Sequence, residues 1–299
     1  MLAFNGNRSY VSNVKLTVKF YKAFLLTITL IALVSCLSYC ETIIRNVEPL
    51  RSWAYPPQVE NMKGLTPDTT GTRFDHQVYT ELLEKIVNKQ GLVDYGKLYK
   101  IENDKELLSQ YLNQIKKANF KSLSHHSQFA LLINAYNACT LDLMLDYRGV
   151  SSIKDIPSEK RWKAKRCNIG GRLVSLDYLE HKWMRPTYQD PRIHFAVVCA
   201  AKDCPLLRNE AYTGDKLTAQ LRDQTNIFFQ RDKYFEYKNG TVYLSRLLDW
   251  YRGDFASFAG SLSNYIRSHV PKSLKKKLPE KGSLNIEWKK YSWSLNGSW

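Results

Sequence analysis

Acidic residues are scarce in this chain: 28 Asp and Glu stand against 44 Lys and Arg, a formal net charge of +16 over 299 residues. None precedes Glu41. That balance favours anionic surfaces, either an acidic polymer or lipid headgroups; a solvated basic surface is the plainer reading. The chain has no paired CxxC spacing and no basic region with heptads, so no nucleic acid is expected as a partner. No internal repeat is present, which excludes a solenoid. No residue pattern matches a zinc motif; a metal site of His181, His194, Glu180 and a cysteine is the minor alternative, and neither a metal nor a cofactor is expected. Charge is missing altogether from Phe24 to Tyr39 (FLLTITLIALVSCLSY), which Arg8, Lys15, Lys19 and Lys22 precede.

That last absence is the layout of an export signal, a basic segment followed by an apolar one. The run is short for a membrane span, which needs about 20 apolar residues. Leu33 to Cys36 (LVSC) is similar to the lipobox of lipoproteins, in which the cysteine is acylated. An uncleaved anchor with its basic flank in the cytoplasm is the alternative. Either layout attaches the rest of the chain to a membrane, facing outside the cytoplasm: periplasmic, extracellular or lumenal. Residues 1–41 are thus expected to be signal or anchor, and 42–72, with Pro56, Pro57, Pro67 and TPDTTGT, a linker.

Residues 73–299 are expected to form one α+β domain, its helical amino-terminal half packed on a small central sheet. Hydrophobic residues at 44% and aromatics at 13% are enough for a core. Phe74, Val78, Leu82 and Ile86 recur at helical spacing, and Leu98 to Ile115 carries a second helix. A third begins near Ser124, and its middle, LLINAYNACTLDLML, is apolar nearly all round and so buried. Asn134 and Asn137 within it each need a partner. They brace a loop, or one of them orients a catalytic histidine or binds an oxyanion; Tyr136 reads as core. Gly170-Gly171 and Asn239-Gly240 mark hairpins, Ser175 is a helix N-cap, and the aromatic end WKKYSWSLN packs back on the domain.

Reactive side chains concentrate in DPRIHFAVVCAAKDCPLL, from Asp190 to Leu207. Ile193 to Cys199 reads as an interior strand, with His194 at its start and Cys199 at its end. Pro205 suits the first position of a helix, which makes Cys204 the N-cap and lowers its thiol pKa. Cys204 is then a nucleophile, with His194 or else His181 as base and Glu180 or Asn134 orienting the imidazole. Glu180 and His181 are adjacent on a helix, so at most one points squarely into a cleft. Of six cysteines, four lie beyond the amino-terminal segment, and a disulfide between Cys199 and Cys204 remains the alternative to a free thiol.

FALLINAYNACTL (Phe129 to Leu141), SLDYLEH (Ser175 to His181), DPRIHFAVVCAAKDCPLL, LSRLLDWYRGDF (Leu244 to Phe255) and YSWSLN occur in order. The chain resembles, through these motifs, the domain of unknown function 547 family from about Phe74 onward. The resemblance implies a single α+β domain behind an export signal and names no activity. Two function classes follow from the residues. One is a thiol-dependent hydrolase or acyltransferase acting on amide or ester bonds of envelope material; the other is a non-catalytic envelope module that binds acidic polymer or lipid headgroups.

Overall fold

Helix His125–Asp146 is the spine of the protein. Its N-cap Ser124 accepts a hydrogen bond from the Ser127 N–H, satisfying one of the orphan donors of the first turn. From Phe129 to Leu141 every residue is buried, so the other elements cover it on all sides. The computed structural model describes residues 71–299. The expected signal or anchor, the Cys36 lipobox and residues 42–70 of the linker lie outside the described residues.

Three helices precede the spine: α1 (Gln77–Ile86), α2 (Tyr95–Lys100) and α3 (Glu102–Lys117), with the spine itself α4. The helix expected over Leu98 to Ile115 is thus two, broken at the extended Ile101. Helix α3 carries Glu102 and Asp104 in its first turn and Lys116 and Lys117 in its last, matching its dipole. Val93–Asp94, between α1 and α2, is strand β1.

Both glycine-marked hairpins form. Strands β2 (Lys165–Ile169) and β3 (Arg172–Ser175) join through Gly170 and Gly171, at φ +57° and +83°. Strands β4 (Phe235–Lys238) and β5 (Thr241–Leu244) join through Asn239 and Gly240, at φ +52° and +78°. Positive φ at both central positions is what a two-residue turn between twisted strands requires. The N–H groups of Gly170 and Gly171 donate to Ile115 and Lys116 carbonyls, so the first hairpin also caps the open end of α3.

The mixed helix and sheet content is α+β, and the strands form three small, separate sheets. Antiparallel β2–β3 stands alone; β4–β5 is extended by parallel β6 (Ile286–Trp288); β1 pairs in parallel with β7 (Gly297–Ser298). This last pairing brings the end of the chain back onto the domain, as the aromatic tail leads one to expect. It needs a glycine, since a Cβ at Gly297 would stand 1.9 Å from the Val93 carbonyl oxygen.

Two expectations about the central stretch are corrected. Pro191–Phe195 is a 3-10 helix capped by Asp190, and Ala196 to Cys199 belongs to no sheet. A fully buried apolar run has no periodicity that separates strand from helix, and Asp190-Pro191 is a helix-start signal. Nor is Cys204 a helix N-cap. Its N–H donates to the Ala201 carbonyl in a turn, its own carbonyl accepts from the Tyr234 hydroxyl, and the next helix begins only at Leu217.

Candidate active-site cleft

The two asparagines of α4 each clasp a backbone segment from both sides. Asn137 donates to the Ala196 carbonyl (3.0 Å) and accepts from the Val198 N–H (2.9 Å). It thereby replaces the strand partner that Ala196 to Cys199 lacks. Asn134 does the same to Tyr212, at 2.7 and 3.0 Å, and lies 3.1 Å from His76 Nδ1. It braces a loop, away from the other candidate residues.

The remaining five, Glu180, His181, His194, Cys199 and Cys204, line one cleft of about 180 Å³. Glu180 and His181 both face it although they are neighbours. Ser175 caps the helix by accepting from the Tyr178 N–H. Leu176–Tyr178 (α5) then passes into a π-helical turn, Leu179–Met184, before Arg185–Tyr188 (α6). The wider turn rotates successive side chains by less than an α-helix does. Such turns recur at functional sites.

The cleft floor is a connected set of ionisable groups. His194 Nε2 is 2.7 Å from Asp254 Oδ2, and Arg185 binds both oxygens of that carboxylate at 2.7 and 2.8 Å. Arg185 also donates to His181 Nδ1 at 2.9 Å, which leaves the proton of a neutral His181 ring on Nε2, 4.0 Å from Asp177. The Tyr251 hydroxyl donates to Glu180 at 2.6 Å, and its ring stacks on His194 with centroids 3.7 Å apart. Asp254 and Tyr251 come from helix ends far along the chain: α7 is Leu217–Gln230, α8 Arg246–Trp250 and α9 Arg252–Ala259.

Burial lowers the pKa of His194, against the opposing pull of Asp254. Donating Nε2–H to Asp254 leaves Nδ1 unprotonated, and this buried atom has no hydrogen-bond partner among the described residues. Burial pulls the Asp254 carboxyl upward, but the hydrogen bonds from His194 and Arg185 hold it well below the usual range. Glu180, 6% exposed, is likewise raised by burial and lowered more by His181, His194, the Tyr251 hydroxyl and Arg185. It stays ionised at neutral pH in an enclosed place. Tyr136, read as core, also lines the cleft; burial, together with the charge of Glu180, raises its pKa.

Cys199 and Cys204 sit at disulfide distance, with Cα atoms 6.5 Å apart, and a second pair, Cys139 and Cys167, joins α4 to β2. The Cys204 sulfur also accepts from the Cys199 N–H at 3.2 Å and the Tyr291 hydroxyl at 3.3 Å; no imidazole is among its partners. The turn that holds it is tied to the carboxyl-terminal stretch, where Lys202 N–H donates to the Ser294 carbonyl and Ser292 N–H to Asp203. The same stretch delivers Tyr291 and Trp293, which pack against Trp250 at 4.7 and 5.4 Å to form an aromatic wall.

Sequence reasoning missed Arg185, Tyr251 and Asp254 as site residues. Arg185 lies four residues after His181 on the same helical segment, a readable spacing. Nothing local marks Asp254, whose partner is 60 positions away.

Fold and cleft define an α+β protein with a cysteine pair, imidazole and carboxylate groups on one aromatic-walled cavity. The family model described as "Protein of unknown function, DUF547" matches residues 120–229, and the chain resembles that family over this span. The span takes in the α4 motif, the Ser175 to His181 motif and the central stretch; the motifs at Leu244 to Phe255 and YSWSLN lie beyond it. No curated protein and no solved structure matches the chain. Among the described residues no group of three or more His, Cys, Asp or Glu is arranged to hold a metal ion.

Proposed function

We propose that this cleft is the active site of a thiol-dependent hydrolase or acyltransferase acting on amide or ester bonds of envelope material. The protein is exported and held to a membrane by its amino-terminal segment. The observation that carries the catalytic reading is the His194–Asp254 pair, hydrogen-bonded at 2.7 Å, on the cleft that Cys199 and Cys204 also line. A carboxylate that orients an imidazole, near a sulfur nucleophile, is the arrangement acyl transfer uses on many folds.

Two equivalents of an external thiol first reduce the Cys199–Cys204 disulfide to two thiols and are themselves joined as a disulfide. His194 Nδ1 takes the proton of the Cys204 thiol, and the thiolate adds to the substrate carbonyl. The leaving amine or alcohol departs with a proton from the imidazole, and the acyl group remains as a thioester. Water, or an acceptor hydroxyl or amine, gives its proton back to the imidazole and releases the acyl group. Activation of Cys204 by a helix terminus has no part in this scheme. An unliganded site whose nucleophile and base are not yet in contact is compatible with it, because such contacts tighten when substrate binds.

Hydrolysis of p-nitrophenyl acetate by reduced and unreduced protein tests the reading. Activity is expected only after reduction and is expected to disappear in Cys204→Ser. Equal rates in the unreduced protein or the serine variant would refute it.

The competing reading, a non-catalytic module for acidic polymer or lipid headgroups, is favoured by the exposed run Lys275 to Lys277. Charge reversal there would abolish binding to anionic vesicles, while Cys204→Ser and His194→Ala would leave it intact. The enzyme reading expects the opposite pattern for turnover.

A further inference from the structure

The cleft inverts the charge of the molecule that carries it. The chain is strongly basic, yet both charged side chains on the cleft lining other than histidine, Asp177 and Glu180, are acids. Arg185 is neutralised by its two-point contact with Asp254. Glu180 is an enclosed carboxylate that accepts hydrogen bonds from the neutral hydroxyls of Tyr251 and Tyr136; burial still penalises its charge, so a further cation beside it is favoured. His194, on the same lining, keeps a buried and unpartnered Nδ1.

The same lining carries the ring cluster of Trp250, Tyr291 and Trp293. Tryptophan faces are the strongest side-chain seats for cations. One ring of the cluster already seats a cation, with Lys154 Nζ 4.6 Å from the centre of Trp293, and Arg161 lies 5.0 Å from the centre of Trp162 on the same lining. Neither cation belongs to the cleft lining.

We propose that the cleft takes a substrate group bearing a positively charged ammonium, seated between Glu180 and the rings of Trp250, Tyr291 and Trp293. The inference rests on the reading of this cleft as the substrate site and deepens it: the amide or ester cleaved carries a cationic amine near the acyl bond. A neutral group of the same shape keeps the apolar contact and loses the attraction to carboxylate and ring face.

Choline and its uncharged isostere 3,3-dimethylbutan-1-ol test this on the full chain in an uncharged detergent, with binding read from tryptophan emission. Choline is expected to bind about tenfold more tightly than the alcohol, the size of a desolvated cation–ring contact. Glu180→Gln should remove most of that advantage and leave the alcohol unchanged. Should that variant fail to fold, Asp177→Asn, half-exposed at the cleft edge, should weaken choline about threefold.

Equal binding of the two probes, no binding of either, or choline binding unchanged in the acid-to-amide variant that folds would overturn the proposal. So would tighter binding of acetate than of choline. Turnover of p-nitrophenyl acetate is measured on the same preparations. Loss of thiol dependence there counts against the catalytic reading alone, and the choline result against the ammonium seat alone.

Discussion

His194 and Asp254 lie 60 positions apart and meet at 2.7 Å beneath the candidate cleft. Asp254 also anchors Arg185, which in turn reaches His181, so one carboxylate sets the orientation of two imidazoles. Asp254→Asn is therefore expected to lower turnover of an ester probe by about 10²–10⁴-fold, the worth of a positioned general base. Losing charged hydrogen bonds to Arg185 should cost only about 1–3 kcal/mol of stability. Steady-state rates beside a chemical denaturation curve separate the two effects. Loss of stability with full turnover would place Asp254 outside the mechanism.

The four described cysteines should differ in access. Cys139 and Cys167 are 2% and 0% exposed within the core, whereas Cys199 borders the cleft and is half-buried. Native unreduced protein should take up no thiol label at these four positions. After mild reduction Cys199 and Cys204 should label first, with Cys139 and Cys167 labelled only on unfolding; peptide mass spectrometry reads the order. Labelling of Cys204 before any reductant would show that the cleft pair is open.

His76 should make the domain acid-sensitive. Its Nδ1 lies 2.7 Å from the Tyr111 hydroxyl and 3.1 Å from the Asn134 amide, both able to donate only while that nitrogen is unprotonated. Burial lowers its pKa to about 4 against the opposing charge of Asp75. The folded protein therefore holds fewer protons here than the unfolded chain. This contribution to stability is complete above the unfolded value of 6.5 and is lost as pH falls from there toward about 4. At about 1.4 kcal/mol per unit the loss is roughly 3 kcal/mol. Unfolding curves at pH 7 and 4.5 should show most of it, and His76→Gln should flatten the difference.

Asn137 is a structural clamp, and its removal should be severe. Asn137→Leu would leave the Ala196 carbonyl and Val198 N–H buried without partners, at about 1–3 kcal/mol each. Denaturant midpoints should fall accordingly, and ester turnover should fall too, because the same segment carries Cys199. Unchanged stability would mean that Ala196 to Cys199 holds its course unaided.

Much of the local structure was legible. The Gly170-Gly171 and Asn239-Gly240 turns, the Ser175 cap, the apolar α4 and the returning aromatic tail all follow from short-range rules, because caps and tight turns are decided within a few residues. Ile193–Cys199 forms no strand and Cys204 starts no helix. The buried run has no periodic signature, and Asn137, a distant partner, satisfies its backbone in place of a sheet. Asn134, advanced as an orienter of the site, instead holds Tyr212.

The sequence alone determined that Glu180, His181, His194, Cys199 and Cys204 fall in two short reactive stretches, and that α4 would be enclosed. Only the tertiary structure decided that both stretches line one cleft, that Asp254 and Arg185 complete its floor, and that Cys204 is held by the carboxyl-terminal stretch rather than by a helix. The physical reason is range: caps and turns are settled by neighbours, whereas a buried charge takes whichever opposite charge the packing of distant helices brings within hydrogen-bond reach.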